Sequence, residues 1–162
     1  MATAITNNPK RPEPQVLKGA IDALAARFGN RLITSQSVRE QHAHTTTWLA
    51  PQPPDAVVMA QETADIQDVV RICAKHTVPV IAFGTGTSLE GHISAPNGGI
   101  SLDVSRMNKV LQVNEADLDV VVQPGVTRKQ LNEYLRATGS PAAAAAACSA
   151  EPGIAKMMSD GS

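Results

Sequence analysis

The run Pro79-Val80-Ile81-Ala82-Phe83-Gly84-Thr85-Gly86-Thr87-Ser88-Leu89-Glu90-Gly91-His92 constrains this chain more than any other stretch. From Val78 to Phe83 it is apolar and rich in β-branched residues, which predicts a buried strand. It then breaks into three glycines interleaved with hydroxyl residues. Glycine lets a ligand approach the main chain closely and takes backbone angles that other residues avoid. Successive N–H groups in such a bend form a concavity that accepts an anion, and Thr85, Thr87 and Ser88 add hydroxyl donors. A pyrophosphate matches this chemistry, so the run points to a nucleotide-type cofactor. The same residues also allow a plain Gly-rich turn between two strands.

The spacing excludes the common templates. Gly84, Gly86 and Gly91 give G-x-G-x-x-x-x-G rather than G-x-G-x-x-G, and no Gly-Lys-Ser/Thr follows. No Lys or Arg lies between Lys75 and Arg106. A phosphate here would be met by amides and hydroxyls rather than by side-chain cations. The chain's formal net charge of −1 likewise gives no electrostatic reason to expect nucleic acid or an anionic membrane as partner.

A length of 162 residues predicts one domain, or one domain with extensions. The chain is 43% hydrophobic but only 2% aromatic, so its core must be built from Val, Ile, Leu and Ala. Cys73 and Cys148 make neither a disulfide framework nor a metal site, and Cys73 is expected as inert core. No apolar stretch approaches the roughly 18 residues of a membrane span, and the start of the chain lacks the layout of a secretory signal. The expectation is a soluble protein of a reducing compartment, cytoplasmic, with peripheral membrane attachment as the alternative.

Periodicity then divides the chain. Residues 1–14 are polar and carry Pro9, Pro12 and Pro14, which predicts a disordered lead. Val16, Leu17, Ala20, Ile21, Leu24, Ala25 and Phe28 share one face of a helix that Gly29 stops. Ser35 to Trp48 read as polar and irregular, and Pro51 to Pro54 as a stiff connector. Beyond it, Ala56–Ala60 reads as a strand. Thr63 is placed to cap a helix with Ile66, Val69, Val70, Cys73 and Ala74 on its inner face. The strand at Val78–Phe83 completes a β-α-β unit, which implies parallel pairing through a right-handed crossover. A strand over 99–103 follows, and then a hairpin of 110–114 with 119–123. Last comes a helix with a Thr127/Gln130 capping box, a Val126–Leu131 staple and Leu131, Tyr134 and Leu135 inward, stopped at Gly139. The order β-α-β-β-β-β-α is α+β rather than a regular doubly wound sheet. After Ser140-Pro141 come six alanines and a low-complexity tail.

From Arg39 to Gly139 the chain resembles the N-terminal FAD-binding part of the flavin-linked D-lactate dehydrogenase and glycolate oxidase family, flavoproteins of the p-cresol-methylhydroxylase and vanillyl-alcohol-oxidase type. The blocks that carry the resemblance are, in order, Pro53-Pro54-Asp55-Ala56-Val57-Val58, the run from Val78 to His92, Ala95-Pro96-Asn97-Gly98-Gly99, Asp103 to Val110, and Val121-Val122-Gln123-Pro124-Gly125-Val126-Thr127. The resemblance implies the first subdomain of that FAD-binding fold over 53–139, preceded by an extension with one helix over 1–52 and followed by a low-complexity tail over 140–162. It implies FAD as cofactor. Gly84, Thr85, Gly86, Thr87 and Ser88 would hold the diphosphate, Gly91 and His92 would close that loop, and Pro124, Gly125 and Val126 would form a second cofactor-contacting turn. In the family a hydride leaves the α-carbon of a D-2-hydroxy acid, and the electrons pass to a cytochrome, a quinone or an electron-transfer flavoprotein. The substrate domain and its catalytic residues lie beyond the resembling segment, so no catalytic residue and no metal ligand is assigned here. The switch from family-like sequence to polyalanine is like that of a frameshifted or truncated product. A non-enzymatic nucleotide-binding module and an inactive fragment are the alternative functions.

Four further features carry less. His42 and His44 lack the additional ligands of a zinc site and are expected in a solvated loop. Ser88 has no base partner for nucleophilic chemistry. Glu115, Asp117 and Asp119 read as solvated turn carboxylates. Trp48, the single tryptophan, is expected to cover the core.

Overall fold

The computed structural model describes residues 10–44, 48, 50–87 and 89–139. Ser88, Cys148 and the tail from 140 onward lie outside the described residues, as do residues 1–9 of the predicted lead.

Helix α1 runs Pro14–Phe28, begun by a proline that needs no N–H partner and ended where Gly29 takes φ 53°. Ala20, Leu24 and Phe28 are its buried stripe, and Leu17 and Ile21 pack beside them; Val16 and Ala25 face water instead. The chain before it is anchored, since the Arg11 guanidinium pairs with the Asp55 carboxylate, which also accepts the Gly99 N–H at 2.7 Å.

Composition hid two elements, one just before the stretch read as irregular, Ser35 to Trp48, and one within it. They are β1 (Leu32–Ile33) and α2 (Gln36–Gln41). A two-residue strand is too short to show alternation, and a six-residue helix too short to show a face. Then come β2 (Ala56–Met59), α3 (Thr63–Lys75), β3 (Val80–Phe83), β4 (Ile100–Asp103), β5 (Val110–Asn114), β6 (Asp119–Val122) and α4 (Arg128–Ala137). From β2 onward this is the β-α-β-β-β-β-α order read from the sequence. The N-cap of α3 is Glu62 rather than Thr63, and no side chain caps it; the Asp65 carboxylate takes the nearby Gln61 N–H at 3.0 Å.

β1 to β4 form one sheet in the order β1-β2-β4-β3, and β5 and β6 form a separate two-stranded sheet. β2 and β3 run parallel, as a β-α-β unit should, but they do not pair. β4 lies between them, parallel to both, with Ile100 opposite Ala56 on one side and Val80 on the other. This reverses the burial expected from composition. Val80–Phe83, the most apolar run, is an edge strand with alternate residues exposed, whereas Ile-Ser-Leu-Asp in β4 is buried throughout. A central strand is covered on both faces whatever its residues.

The core joins Leu24 and Phe28 of α1, Val69 and Cys73 of α3, and Ala56, Val58, Ile100 and Leu102 of the sheet. Burial pushes the Cys73 thiol up to about 11, so it stays neutral and unreactive. Phe28 is flanked by Arg27 and Arg31, each with its guanidinium 5.2 Å from the ring centre. Arg31 reaches Asp65, 1% exposed, at 2.5 and 3.1 Å, which ties the end of α1 to the start of α3. Val70 and Ala74, expected on the inner face of α3, are exposed, and two further apolar residues also lie elsewhere than expected. Trp48 is 92% exposed and covers no core, and Tyr134 is 43% exposed, leaving Leu135 as the buried residue of α4.

Candidate functional site

The parallel strands β3 and β4 end together, with Phe83 opposite Asp103. In open sheets of this kind ligands bind beyond the carboxyl ends of the strands. The bend after Phe83 stands there. Thr85 is exposed, Gly84 and Gly86 are half-buried, and Gly86 takes φ 71°. A cleft of about 720 Å³ opens between this bend and α2. Phe83, Thr85, Gly86 and Thr87 line one wall; Ser37, Glu40, Gln41 and His44 line the other.

Three observations fit an anionic guest in the bend. Among the described residues the main-chain N–H groups of Gly84, Thr85 and Gly86 have no hydrogen-bond partner within the chain. The Thr85 and Thr87 hydroxyls lie 3.1 Å apart and hydrogen-bond to each other, one donating and the other accepting, which fixes both beside the bend. A Cβ built on Gly84 would meet nothing within 4 Å. Neither packing nor backbone angle therefore asks for glycine at 84, and its missing side chain leaves open space beside the bend. At Gly86 the positive φ does ask for glycine, and a Cβ there would stand 3.0 Å from the Phe83 ring. No Lys or Arg lines the cleft, so its hydrogen-bond donors are main-chain amides, hydroxyls, and the Gln41 and His44 side chains.

The other sequence-derived residues are placed as follows. Gly91 is buried with φ 71°, and its carbonyl accepts the Ser94 N–H at 3.0 Å, which turns the loop back toward β4. His92 is exposed and does not line the cleft. The turn of Pro124, Gly125 and Val126 packs against the Val104–Ser105 turn that follows β4; a Cβ on Gly125 would come within 2.5 Å of the Val104 carbonyl oxygen. Its amides are engaged, Gly125 N–H on the Met107 carbonyl at 2.8 Å and Val126 N–H on Gln123 at 3.1 Å. The two glycine turns thus share the carboxyl end of the sheet but not one cleft. The turn trio Glu115, Asp117 and Asp119 is exposed, and among the described residues no group of acids, histidines and cysteines is arranged to hold a metal.

One residue beside the cleft is not where its sequence context put it. His42 is buried, not solvated. Its Nδ1 lies 2.8 Å from the Val38 carbonyl oxygen and its Nε2 2.9 Å from Asp103 Oδ2. Its ring leans on the Phe83 ring, centres 4.2 Å apart. Burial works against a charged ring, but the bonds to Asp103 and Val38 outweigh it and hold the imidazole above its usual value. Burial likewise opposes the Asp103 carboxylate, but the hydrogen bonds from His42 and Ser105 hold it below the usual carboxylate range. The partners are 61 residues apart, and no short-range pattern joins them.

Comparison with known proteins bears on the family and the fold. Residues 54–155 match the family of FAD binding domains. The match runs past Gly139, through the alanine run. The chain is 43% identical over 103 residues to the probable mitochondrial D-lactate dehydrogenase of Danio rerio and 43% identical over 106 residues to the mitochondrial D-lactate dehydrogenase [cytochrome] of Kluyveromyces lactis. Those matches take in 64% and 60% of this chain but 21% and 18% of the relatives, so the chain spans about a fifth of their length. It is also 40% identical over 73 residues, 45% of this chain and 16% of the relative, to glycolate oxidase subunit GlcD of Bacillus subtilis. Among solved structures, p-cresol methylhydroxylase superposes with a TM-score of 0.71 at 22% identity over 80% of this chain and 26% of its own. The 4-ethylphenol oxidase of Gulosibacter chungangensis does so at 0.72 and 29%, again over 80% and 26%. Matched over more than half its length, this chain belongs to the FAD binding domain family and has the α+β fold of the p-cresol-methylhydroxylase-type flavoproteins.

Proposed function

We propose that the bend from Gly84 to Ser88 holds the diphosphate of FAD, and that the chain is the cofactor-holding first part of a flavin-dependent D-2-hydroxyacid dehydrogenase of the D-lactate or glycolate class. The observation that carries this reading is the row of unpartnered amides at Gly84, Thr85 and Gly86 beside a cleft. The amides and the Thr85 and Thr87 hydroxyls would bind and orient the two phosphates, and α2 would screen them from water. Gly91 and His92 would close the loop. The turn at Pro124–Val126, with its amides engaged, would reach the cofactor through its carbonyls and Cα atoms. When bound, the flavin would accept the hydride from the α-carbon of the hydroxy acid. A cytochrome, a quinone or an electron-transfer flavoprotein would then take the electrons. Cytochrome has the most support, because the Kluyveromyces lactis relative bears it in its name.

For compartment we infer the cytoplasm, with peripheral membrane attachment as the alternative, although the names of two relatives point to the mitochondrion instead. No helix among the described residues is long and apolar enough to cross a membrane, and the Danio rerio and Kluyveromyces lactis relatives carry mitochondrial in their names. Cell fractionation with an antibody to the protein separates the two compartments.

Gly84 supplies the test of the cofactor reading. Gly84→Ala removes backbone freedom from the unfolded chain at a position of ordinary φ, which stabilises by about 0.4–1 kcal/mol. The new methyl occupies the open space beside the bend. The expected result is a melting temperature at or above that of the wild type together with weaker binding of FAD and ADP by calorimetry. Equal affinity in the two proteins, or no binding by the wild type, overturns the reading.

A further inference from the structure

The two walls of the cleft belong to distant parts of the chain, and one side chain links them. His42 follows the last turn of α2. Its Nδ1 faces the Val38 carbonyl of that helix, and its Nε2 crosses to Asp103 at the end of β4. A carbonyl oxygen only accepts, so Nδ1 must carry a proton. Asp103 already accepts the Ser105 N–H through Oδ1 at 2.7 Å, and its Oδ2 faces Nε2. With that carboxylate ionised, Nε2 must donate as well. Both ring nitrogens then carry protons, and the ring is an imidazolium buried beside its counter-ion. The contact continues into the loop, because the His42 ring leans on Phe83 and the far edge of Phe83 lies against Gly86.

We propose that His42 is the positioning residue of the Gly84–Thr87 bend: its doubly hydrogen-bonded ring clamps α2 to the ends of β3 and β4, and through Phe83 it sets the shape in which the bend meets its ligand. The consequence for cofactor affinity rests on the FAD reading above; the consequence for the bend does not. Loss of either ring proton turns a lone pair toward an acceptor, so the clamp loosens as pH rises through the ring's raised value. Other charged groups nearby face elsewhere. Arg39 of α2 donates to the Pro54 carbonyl at 2.6 Å, and Glu40 accepts from Gln36 at 2.7 Å. Glu40 and His44 border the cleft, and Asp103 is the charge in hydrogen-bond contact with the ring.

The test uses the full chain labelled with ¹⁵N. Imidazole ¹⁵N shifts of His42 and amide shifts of Gly84, Thr85 and Gly86 are followed from about pH 5 to about pH 9. FAD itself is titrated by flavin fluorescence at both ends of the range, for the wild type, His42→Gln and Asp103→Asn. The expected result is a His42 ring protonated at both nitrogens at the acid end and loop amides that move with the same midpoint as the ring. Wild-type FAD binding should weaken about tenfold toward the alkaline end, the loss of one charge-assisted bond. His42→Gln should bind FAD about tenfold more weakly at the acid end, with no pH dependence. Loop amides indifferent to the titration of the ring overturn the proposal, as does a His42→Gln protein with wild-type affinity and pH profile. A wild type that binds no FAD while its loop amides still follow the ring sinks the cofactor reading and upholds the clamp. If His42→Gln does not fold, the wild-type titration decides alone.

Discussion

Three residues give this protein a definite dependence on pH. Asp65 and Asp103 are both held below the ordinary carboxylate value of 3.8. At each, burial opposes ionisation, but Arg31 outweighs it at Asp65 and His42 with Ser105 outweighs it at Asp103. Their contribution to stability is fully present above 3.8 and is lost as pH falls through their depressed folded values. His42 is held above its ordinary value of 6.5, so its contribution is complete below 6.5 and is lost as pH rises through the raised value. The stability plateau is therefore expected between about pH 4 and about pH 6.5, with a lower urea midpoint at pH 8 and again below pH 3. A midpoint at pH 8 equal to that at pH 5 would contradict the buried imidazolium. None of this was legible in the sequence. His42 and Asp103 are far apart in the chain, and the Gln41-His42-Ala43-His44 context resembles any polar loop. The inert state expected of Cys73, by contrast, follows from its place on an apolar helical stripe, and burial of that stripe supplies the reason.

Elements were legible in proportion to their length and their local signals. α4 is the clearest case. Thr127 caps it, its hydroxyl accepting the Gln130 N–H at 3.2 Å, as the Thr-x-x-Gln spacing indicates. Only half of the capping box forms, because the Gln130 side chain donates to the Asn108 carbonyl at 2.6 Å and so ties the helix to the strand-leading turn instead. Thr127→Ala should cost about 1 kcal/mol, read as a lower midpoint in chemical denaturation. A cost near zero would show that the tie to Asn108 suffices. β3 and β4 mark the limit of the same reasoning. Hydropathy ranks Val-Ile-Ala-Phe above Ile-Ser-Leu-Asp as the more buried strand, yet the sheet puts β4 at its centre. Strand order depends on where the loop from Gly84 to Gly99 returns the chain, which no property of either strand records. Glycine at 99 belongs to that return, since with φ 114° a Cβ there would collide with the Pro79 carbonyl oxygen at 2.5 Å.

At the scale of the whole molecule, the second sheet lacks a cover among the described residues. Leu111, Leu118 and Val121 of the β5–β6 hairpin are 59%, 58% and 47% exposed, and the chain spans about a fifth of its D-lactate dehydrogenase relatives. Exposed apolar strands without a cover favour association. Sedimentation velocity of the full chain is expected to show concentration-dependent self-association that Leu111→Lys reduces. A wild type monomeric at all concentrations would show that the hairpin is covered by the rest of the chain.

The order of elements after the Pro-rich connector, the helix ends at Gly29 and Gly139, and the glycine bend with its family resemblance all rest on local chemistry. Backbone angles, caps and periodicity act over a few residues, so the sequence alone carried them. The swap of β4 into the sheet centre, the burial of His42 against Asp103, the exposure of Trp48 and the cleft itself arise where segments tens of residues apart are pressed together. Desolvation and hydrogen-bond geometry there depend on which surfaces meet, and only the tertiary structure decides that.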